Sequence, residues 1–417
     1  MASHRRGWVL LVSLLFTQLF MFGPTAGTIG VFIPSLVRTF GWSREAVSSI
    51  AVAYSVMLGI GCLISGGLLE AIDARWVMSV GAVVAGVGMF CAASIHSLGG
   101  LFASYVLVGA GVALGGVTPA TVVAANWYPH RRGTAVAITL LGLSLGMAAA
   151  PPLVMHVIVT HGWRMGMIAL GLPMVLLSAP AAFIMVRTRP AEAPAGAMVS
   201  AHGHVGATGD HGVELGVGML TSAFWLLLGL CLFSQLGVGS ILYHMVPYLM
   251  LIGYSPEQAS MIMGAQALLV SVGSVGFGIL ADYFGPRPVL LTTFVLLAAS
   301  VMMLIGASDP HWAMWAVTGF IIVWGVNMGN MSALAPLVAN SLGMRRFSTF
   351  MGIVTMFWFF GEGFGPLIAG GLFDRTHTYT VPFELAAAFF LLSAVLTAMV
   401  YPARGVASQG NREEMVA

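Results

Sequence analysis

Two stretches decide the fold of this chain: "FGWSREAVS" at residues 40–48 and "IGYSPEQAS" at residues 252–260. The first begins at residue 40 and the second at residue 252, an offset of 212 that aligns Gly, an aromatic residue, Ser and Glu in both. Ser43 and Ser255 are predicted helix N-caps, because a seryl oxygen accepts hydrogen bonds from first-turn amides. Glu45 and Glu257 then lie in the first turn, against the positive helix end. Each stretch predicts a helix start, and the offset predicts an internal repeat.

The repeat continues beyond these stretches. "GGLLEAIDARWV" (66–77) aligns with "GILADYFGPRPV" (278–289) at the same offset, and "ANWYPHRR" (125–132) matches "ANSLGMRR" (339–346) at an offset of 214. Parallel repeats of this kind are one known transporter architecture, in which the solute binds where the two halves meet.

The composition places the chain in a membrane. It is 59% hydrophobic and only 7% charged, whereas soluble domains carry roughly 25% charged residues. All 16 basic residues are arginines, so the chain has no lysine for a nucleotide-binding P-loop or for a Schiff base with retinal or pyridoxal phosphate. The formal charge of +2 gives no nucleic-acid footprint. We expect neither an enzyme nor a cofactor or nucleic-acid partner.

Twelve apolar stretches are long enough to cross the roughly 30 Å hydrocarbon layer. They lie near residues 8–34, 44–69, 76–95, 99–126, 133–159, 164–187, 221–251, 256–281, 287–306, 312–338, 347–372 and 382–401. They must be helices, because an open strand edge leaves backbone groups unpaired in lipid. The predicted fold is an all-α membrane protein with twelve transmembrane helices in two pseudo-symmetric six-helix bundles.

The predicted bundles comprise residues 1–188 and 219–417, joined by a cytoplasmic linker at 189–218 that is rich in Ala, Gly and Pro. The linker contains His202, His204, Asp210 and His211, and the lone residues Cys62, Cys91 and Cys231 lie in apolar stretches. The linker residues could in principle bind a metal, but disordered loops collect histidines without binding one, and the cysteines lack pairing or metal-ligand spacing, so no metal site is predicted. With both termini inside, twelve arginines lie in inside segments and four in outside segments. Arginine excess marks the cytoplasmic side, so both termini are expected in the cytoplasm.

The repeated turns resemble known sequences. "GILADYFGPRPV" resembles the cytoplasmic signature of the major facilitator superfamily. "GVFIPSLVRTFGWSREAVS" (30–48), "NWYPHRRGTAVAI" (126–138), "YHMVPYLMLIGYSPEQAS" (243–260) and "GPLIAGGLFDRTHTYTVPFELA" (365–386) resemble the bacterial branch of the monocarboxylate transporter family, which includes oxalate:formate antiporters. The resemblance implies a secondary transporter of a small weak acid in a bacterial inner membrane.

Charged residues in the repeated cytoplasmic turns are candidate gating residues. Equally, they can be topology anchors and loop caps, and one residue can serve both roles. They are Glu70, Asp73, Arg75, Arg131, Arg132, Asp282, Arg287, Arg345 and Arg346.

Polar side chains inside spans are costly in lipid and mark candidate sites. Glu362 is the acid well inside a span, and burial disfavours its charged form, so it is predicted to carry a proton; alternatively it stays protonated as a structural hydrogen-bonding group. His244 is the second proton-coupling candidate, since the resembled family often has a His there for substrate or proton binding. The candidate solute-binding residues are His244, Tyr243, Gln18, Thr28, Tyr54, Gln235, Gln266, Ser271, Ser274, Asn327, Asn330 and Trp358. Interhelical hydrogen bonding alone explains many of these positions equally well.

One departure from the resembled family affects the solute. The family's substrate-binding Arg, four residues before Gly278, is replaced here by Ser274. Either protonated His244 binds a weak acid, or the solute is neutral, cationic or hydrophobic.

The sequence therefore predicts a monomeric, proton-coupled transporter, a symporter by resemblance, that moves a small organic solute by alternating access. A proton-driven exporter of hydrophobic or cationic compounds is the alternative. A membrane sensor or scaffold that transports nothing is the alternative from a different class.

Overall fold

The computed structural model describes residues 2–128, 132–187, 215–309, 311–343 and 347–401, and these residues fold into helices. Twelve of the helical segments are long and apolar enough to cross a membrane, which confirms the predicted number of spans. We number them as spans one to twelve.

The first six spans occupy residues 2–185. Span one consists of α1 (Ala2–Phe20) and α2 (Phe22–Phe40), span two of α3 (Arg44–Ala71), span three of α4 (Ala74–Ala93), span four of α5 (Leu98–Gly115) and α6 (Val117–Trp127), span five of α7 (Arg132–His161), and span six of α8 (Trp163–Pro173), a π-helical turn (Met174–Ser178) and α9 (Ala179–Met185).

The last six spans follow a short helix, α10 (Leu215–Met219). Span seven is α11 (Ser222–Leu251), span eight α12 (Pro256–Phe284), span nine α13 (Pro286–Gly306), span ten α14 (Ala313–Asn327), a 3₁₀ turn (Met328–Asn330) and α15 (Met331–Leu342), span eleven α16 (Phe347–Thr376), and span twelve α17 (Thr380–Met399).

Several spans differ from the predicted continuous helices. Span one is interrupted at Met21 and then continues to Phe40, beyond its predicted end at residue 34. It ends where Gly41 takes a left-handed conformation at φ 68°, which glycine adopts without steric strain. Spans four and ten are interrupted near their middles, at Gly116 and at Met328–Asn330. The π-helical turn of span six directly follows Pro173, which lacks the amide that a regular helix needs at that position.

Both helix starts predicted from the repeat are confirmed. The Ser43 hydroxyl accepts a hydrogen bond from the Ala46 amide at 3.1 Å. The Ser255 hydroxyl accepts one from the Gln258 amide at 3.1 Å, and the Gln258 side chain accepts from the Ser255 amide at 3.0 Å. Span eight thus begins with a complete capping box.

The first six spans contact the last six along a surface that we call the seam. Glycines bring backbones together there: a Cβ placed on Gly30 would lie 2.3 Å from the carbonyl oxygen of Tyr243, joining spans one and seven. A Cβ on Gly363 would lie 2.8 Å from Cβ of Ser55, joining spans eleven and two. A Cβ on Gly264 would lie 2.4 Å from the carbonyl oxygen of Ala148, joining spans eight and five. These contacts leave no room for a side chain at the three glycines.

The division into two bundles joined by a linker stays a prediction. Residues 188–214 lie outside the described residues, and they include the linker residues His202, His204, Asp210 and His211.

Candidate functional site

Glu362 lies beside the seam, near the middle of span eleven. Its Oε1 accepts a hydrogen bond from the Tyr243 hydroxyl of span seven at 3.1 Å. Glu362 is half-buried, whereas Tyr243 is fully buried. The Glu362 carboxyl group therefore has one described donor, and the residue as a whole is not fully enclosed by the protein.

The first six spans supply the facing hydroxyl groups. The Tyr54 hydroxyl of span two lies 3.0 Å from the Thr25 hydroxyl of span one, and both residues are buried. Tyr54 and Tyr243 interact electrostatically with Glu362. We call Glu362, Tyr243, Tyr54 and Thr25 the central cluster. It combines side chains from both halves, as a site for alternating access requires.

Two further predicted residues adjoin the central cluster. Gln235 on span seven packs against span eleven, because a Cβ on Gly361 would lie 2.7 Å from the Gln235 Cβ. Trp358 is half-buried one helical turn before Glu362, so the two side chains share a helix face.

Span one carries two more predicted residues. The Thr28 hydroxyl donates to the Pro24 carbonyl oxygen of its own helix at 2.7 Å. Gln18 is fully buried, and neither its Oε1 nor its Nε2 has a hydrogen-bond partner among the described residues. Buried polar groups are normally paired, so the Gln18 amide has hydrogen-bonding capacity that the described residues leave unfilled.

His244 lies at one end of the seam. Its Nε2 lies 3.0 Å from the Pro366 carbonyl oxygen and 3.2 Å from the Ser48 hydroxyl, and its Nδ1 lies 3.1 Å from the Tyr379 hydroxyl. The ring has no exposed surface. In this conformation His244 joins span seven to spans two, eleven and twelve, and both of its nitrogens have partners within the protein.

Two charged residues near His244 were missed as site residues from the sequence. The Asp374 carboxylate accepts hydrogen bonds from the backbone amides of Arg44 and Glu45, at 3.1 and 2.8 Å. The Arg44 guanidinium donates to the Tyr379 hydroxyl and lies 4.1 Å from the ring centroid of Phe373. We call Arg44, Ser48, His244, Asp374 and Tyr379 the end cluster. The signal that could have revealed it is Arg44, since the repeat has Pro256 at the aligned position.

A third polar group lies between spans eight and ten. A Cβ on Gly329 would lie 2.1 Å from the Ser274 amide nitrogen, so the two backbones touch. The hydroxyl of Ser274 donates to the Val270 carbonyl oxygen and the amide of Asn327 donates to the Val323 carbonyl oxygen, each within its own helix. Gln266 and Asn327 keep side-chain oxygens without described partners. The set also includes Ser271, which is half-buried, and Asn330, which is buried.

The described gating candidates contact their own half. Asp73 caps span three through the Arg75 amide at 3.1 Å, and the Arg75 Nε lies 4.0 Å from Asp73 Oδ1. The Arg287 side chain donates to the carbonyl oxygens of Thr397 and Ala398 at the end of span twelve. Other candidates lie outside the described residues (Arg131, Arg345 and Arg346) or have side chains that are not described (Glu70, Arg132 and Asp282).

This arrangement suits binding and proton exchange. The central cluster offers one carboxyl group, three hydroxyl groups and adjacent aromatic surface, and it lies where two sets of helices meet. Such a set can bind a solute through hydrogen bonds and release a proton from the carboxyl group in the same place.

The profile of the Major Facilitator Superfamily matches residues 14–255 and 228–416. "Monocarboxylate transporter 13" of Bos taurus is 26% identical over 391 residues, covering 92% of this chain and 87% of that protein. "Monocarboxylate transporter 3" of Rattus norvegicus is 28% identical over 408 residues, covering 94% of this chain and 79% of that protein.

Solved structures share the fold. A D-xylose–proton symporter superimposes with a TM-score of 0.73 at 15% identity, covering 95% of this chain and 99% of that one. A bacterial homolog of the human lysosomal transporter Spinster, in an inward-facing and unoccupied conformation, superimposes with a TM-score of 0.70 at 16% identity, covering 96% of this chain and 99% of that one.

Proposed function

The chain belongs to the Major Facilitator Superfamily, and from this membership we propose a secondary active transporter that moves a small organic solute by alternating access and couples it to protons through Glu362. Proteins of this family are membrane transporters and not enzymes.

The hydrogen bond between Glu362 and Tyr243 carries the proposal. An acid inside a span is costly to retain unless it has a function. This acid has one donor, remains half-buried and faces hydroxyl groups of the opposite half. A structural Glu would instead be expected to have its remaining hydrogen-bonding capacity filled by neighbours.

The proposed solute is a monocarboxylate or related weak acid, because the matched relatives carry the name of monocarboxylate transporters. In the structure His244 is enclosed by protein partners. A direct contact between His244 and the solute therefore requires this end of the seam to open. We propose that Gln18, Gln235 and Trp358 line the solute path together with the central cluster.

A second candidate function is proton-driven export of hydrophobic or cationic compounds. Ser274 favours it, because its hydroxyl is engaged within its own helix and supplies no positive charge for an anion. The carboxylate of an anionic solute is unfavourable in a buried site that offers it no cationic partner. Glu362 itself would suit a cationic solute.

The proposed setting is the bacterial inner membrane, with both termini in the cytoplasm and a monomer in the bilayer. A sensor or scaffold without transport is the outcome if no solute moves.

The deciding experiment reconstitutes the purified protein in proteoliposomes with an imposed pH gradient. Radiolabelled lactate, pyruvate, aromatic acids and lipophilic cations are offered one at a time. Accumulation of a weak acid that collapses with a protonophore supports the proposal, and expulsion of cations supports the exporter. If none of the compounds moves in either direction, the result supports a membrane sensor or scaffold that transports nothing.

A further inference from the structure

The start of span two depends on the other half of the protein. A helix leaves its first four backbone amides without partners inside the helix. At span two, the Ala46 amide donates to the Ser43 hydroxyl at 3.1 Å, and the Val47 amide makes the first bond within the helix, to the Ser43 carbonyl oxygen. The amides of Arg44 and Glu45 donate to Asp374 on span eleven. Two of the amides that the helix leaves unpartnered are therefore capped across the seam.

The repeated start of span eight has no such dependence. Its first residue is Pro256, which has no amide hydrogen to satisfy. Gln258 completes the capping box with Ser255, whereas the aligned position in span two is Ala46. The two copies of the repeat therefore diverge at the residues that decide whether capping is local. Span two has neither the proline nor the capping-box glutamine, and the Asp374 carboxylate of span eleven accepts from its first amides instead.

Two glycines let the carboxylate reach its position. A Cβ on Gly370 would lie 2.9 Å from the Glu45 amide nitrogen and 3.0 Å from the Arg44 carbonyl oxygen. A Cβ on Gly371 would lie 3.0 Å from the Glu45 carboxyl oxygen Oε2. Span eleven thus presents a flat surface at Gly370 and Gly371, followed one turn later by Asp374. Any side chain at Gly370 would hold the two helices apart.

Further hydrogen bonds close the same end. The Pro366 carbonyl oxygen can only accept, so the His244 Nε2 carries a hydrogen, and the His244 Nδ1 lies 3.1 Å from the Tyr379 hydroxyl. Burial raises the pKa of the Tyr379 phenol above its ordinary value, although the nearby Arg44 opposes this. The phenol therefore keeps its proton, while its oxygen accepts from Arg44.

We propose that Asp374, with Gly370 and Gly371, forms a gate at this end of the seam. Asp374 caps span two while the halves touch here, and opening this end gives up both of its hydrogen bonds. The cap therefore favours the closed state, and its strength sets how often this end opens. The inference rests on the proposed function, because a gate has a use only in an alternating-access transporter.

The test measures the opening itself and requires no solute. Spin labels are placed on Thr39→Cys and Thr380→Cys, two exposed positions on opposite sides of this end, in protein whose Cys62, Cys91 and Cys231 are replaced by Ala. Distances are measured by pulsed electron paramagnetic resonance in lipid nanodiscs. The unmodified gate should give mainly a short distance.

Asp374→Ala should raise the ratio of the long-distance to the short-distance population about tenfold, as expected for lost hydrogen bonds to a charged group. Gly370→Ala keeps the carboxylate and adds one methyl group in the contact, so it should shift the populations in the same direction even if Asp374→Ala does not fold. Asp309→Asn lies between spans nine and ten, where its side chain accepts from the His311 amide, and should leave the distances unchanged.

Unchanged distances in Gly370→Ala and in folded Asp374→Ala would overturn the gate. The proposed function is tested separately. If the distances shift in the variants but no solute moves in proteoliposomes, this end of the seam opens as proposed and the transport function is wrong. If transport is observed and the distances stay fixed in both variants, the gate alone is wrong.

Discussion

The Tyr243 hydroxyl donates to the Glu362 carboxylate over 3.1 Å and joins span seven to span eleven beside the seam. The backbones of the two spans are equally close, since a Cβ on Gly239 would lie 2.2 Å from the Glu362 carbonyl oxygen. On the opposite side, Gly30 of span one abuts the Tyr243 carbonyl oxygen. A movement of one half against the other therefore changes the surroundings of this hydrogen bond directly.

Glu362→Gln should abolish proton-driven uptake and spare exchange of labelled for unlabelled solute. The Gln side chain has the size of Glu, and its amide oxygen can still accept the hydrogen bond from Tyr243. Its amide group cannot take up and release a proton. Both activities are measured in proteoliposomes, with and without a pH gradient. Glu384→Gln, on the exposed surface of span twelve, is the matched control. Driven uptake at the original rate in Glu362→Gln would reject the role of Glu362.

Tyr243→Phe should lower driven uptake about tenfold and leave the protein folded. A hydrogen bond to a charged group contributes about 1.5–3 kcal/mol, and its loss removes the one described donor to the Glu362 carboxyl group. Initial uptake rates across a series of imposed pH gradients give the measurement. Tyr283→Phe, with a side chain 82% exposed, should behave as the unaltered protein. Equal rates in the two variants would contradict the assignment.

Gly30→Ala should lower the melting temperature in detergent. Alanine normally stabilises a helix relative to glycine by about 1 kcal/mol, but here its Cβ would meet the Tyr243 carbonyl oxygen at 2.3 Å. Overpacking of this kind typically costs about 1–3 kcal/mol. Gly67→Ala provides the control, because nothing lies within 4 Å of a Cβ there. A melting temperature for Gly30→Ala equal to or above that of Gly67→Ala would show that spans one and seven are not in contact.

Arg287→Ala should lower thermal stability by about 1 kcal/mol, because it removes hydrogen bonds to the last carbonyl oxygens of span twelve. Its guanidinium also lies 4.2 Å from the Tyr401 ring centroid. Hydrogen exchange should show faster opening of residues near Thr397, with little change in span two. Arg375→Ala, at the exposed end of span eleven, is the comparison. Protection near Thr397 that is identical in both variants would exclude anchoring by Arg287.

The fold was predictable because its signals are local. Long apolar runs gave the twelve spans, and the caps at Ser43 and Ser255 follow from residues within one helical turn. The interruptions at Met21 and Gly116 were not predictable, because the surrounding residues remain apolar and the backbone there is fitted to neighbouring helices. The adjacent Gly115 shows this, since a Cβ there would lie 2.6 Å from the Met21 Cε of span one and 3.0 Å from the Met78 carbonyl oxygen of span three.

The sequence predicts candidate site residues one at a time and gives no pairing between them. Glu362 and Tyr243 are both predicted site residues, yet they are 119 residues apart in sequence. Asp374 and Arg44 are 330 residues apart and lie at span ends, where charged residues are common and carry little information. His244 was chosen as a site residue, and only the structure shows that its partners are Tyr379, Pro366 and Ser48.

The interruptions in spans four and ten have an evolutionary consequence. Gly116 and Asn330 are 214 residues apart. The same offset relates the turns that follow them, "ANWYPHRR" at 125–132 and "ANSLGMRR" at 339–346. Two breaks in register are what one segment that already contained the break would leave if it were copied within the gene. Relatives whose halves still align should keep both bends at equivalent positions, and a bend confined to one half would refute the inference.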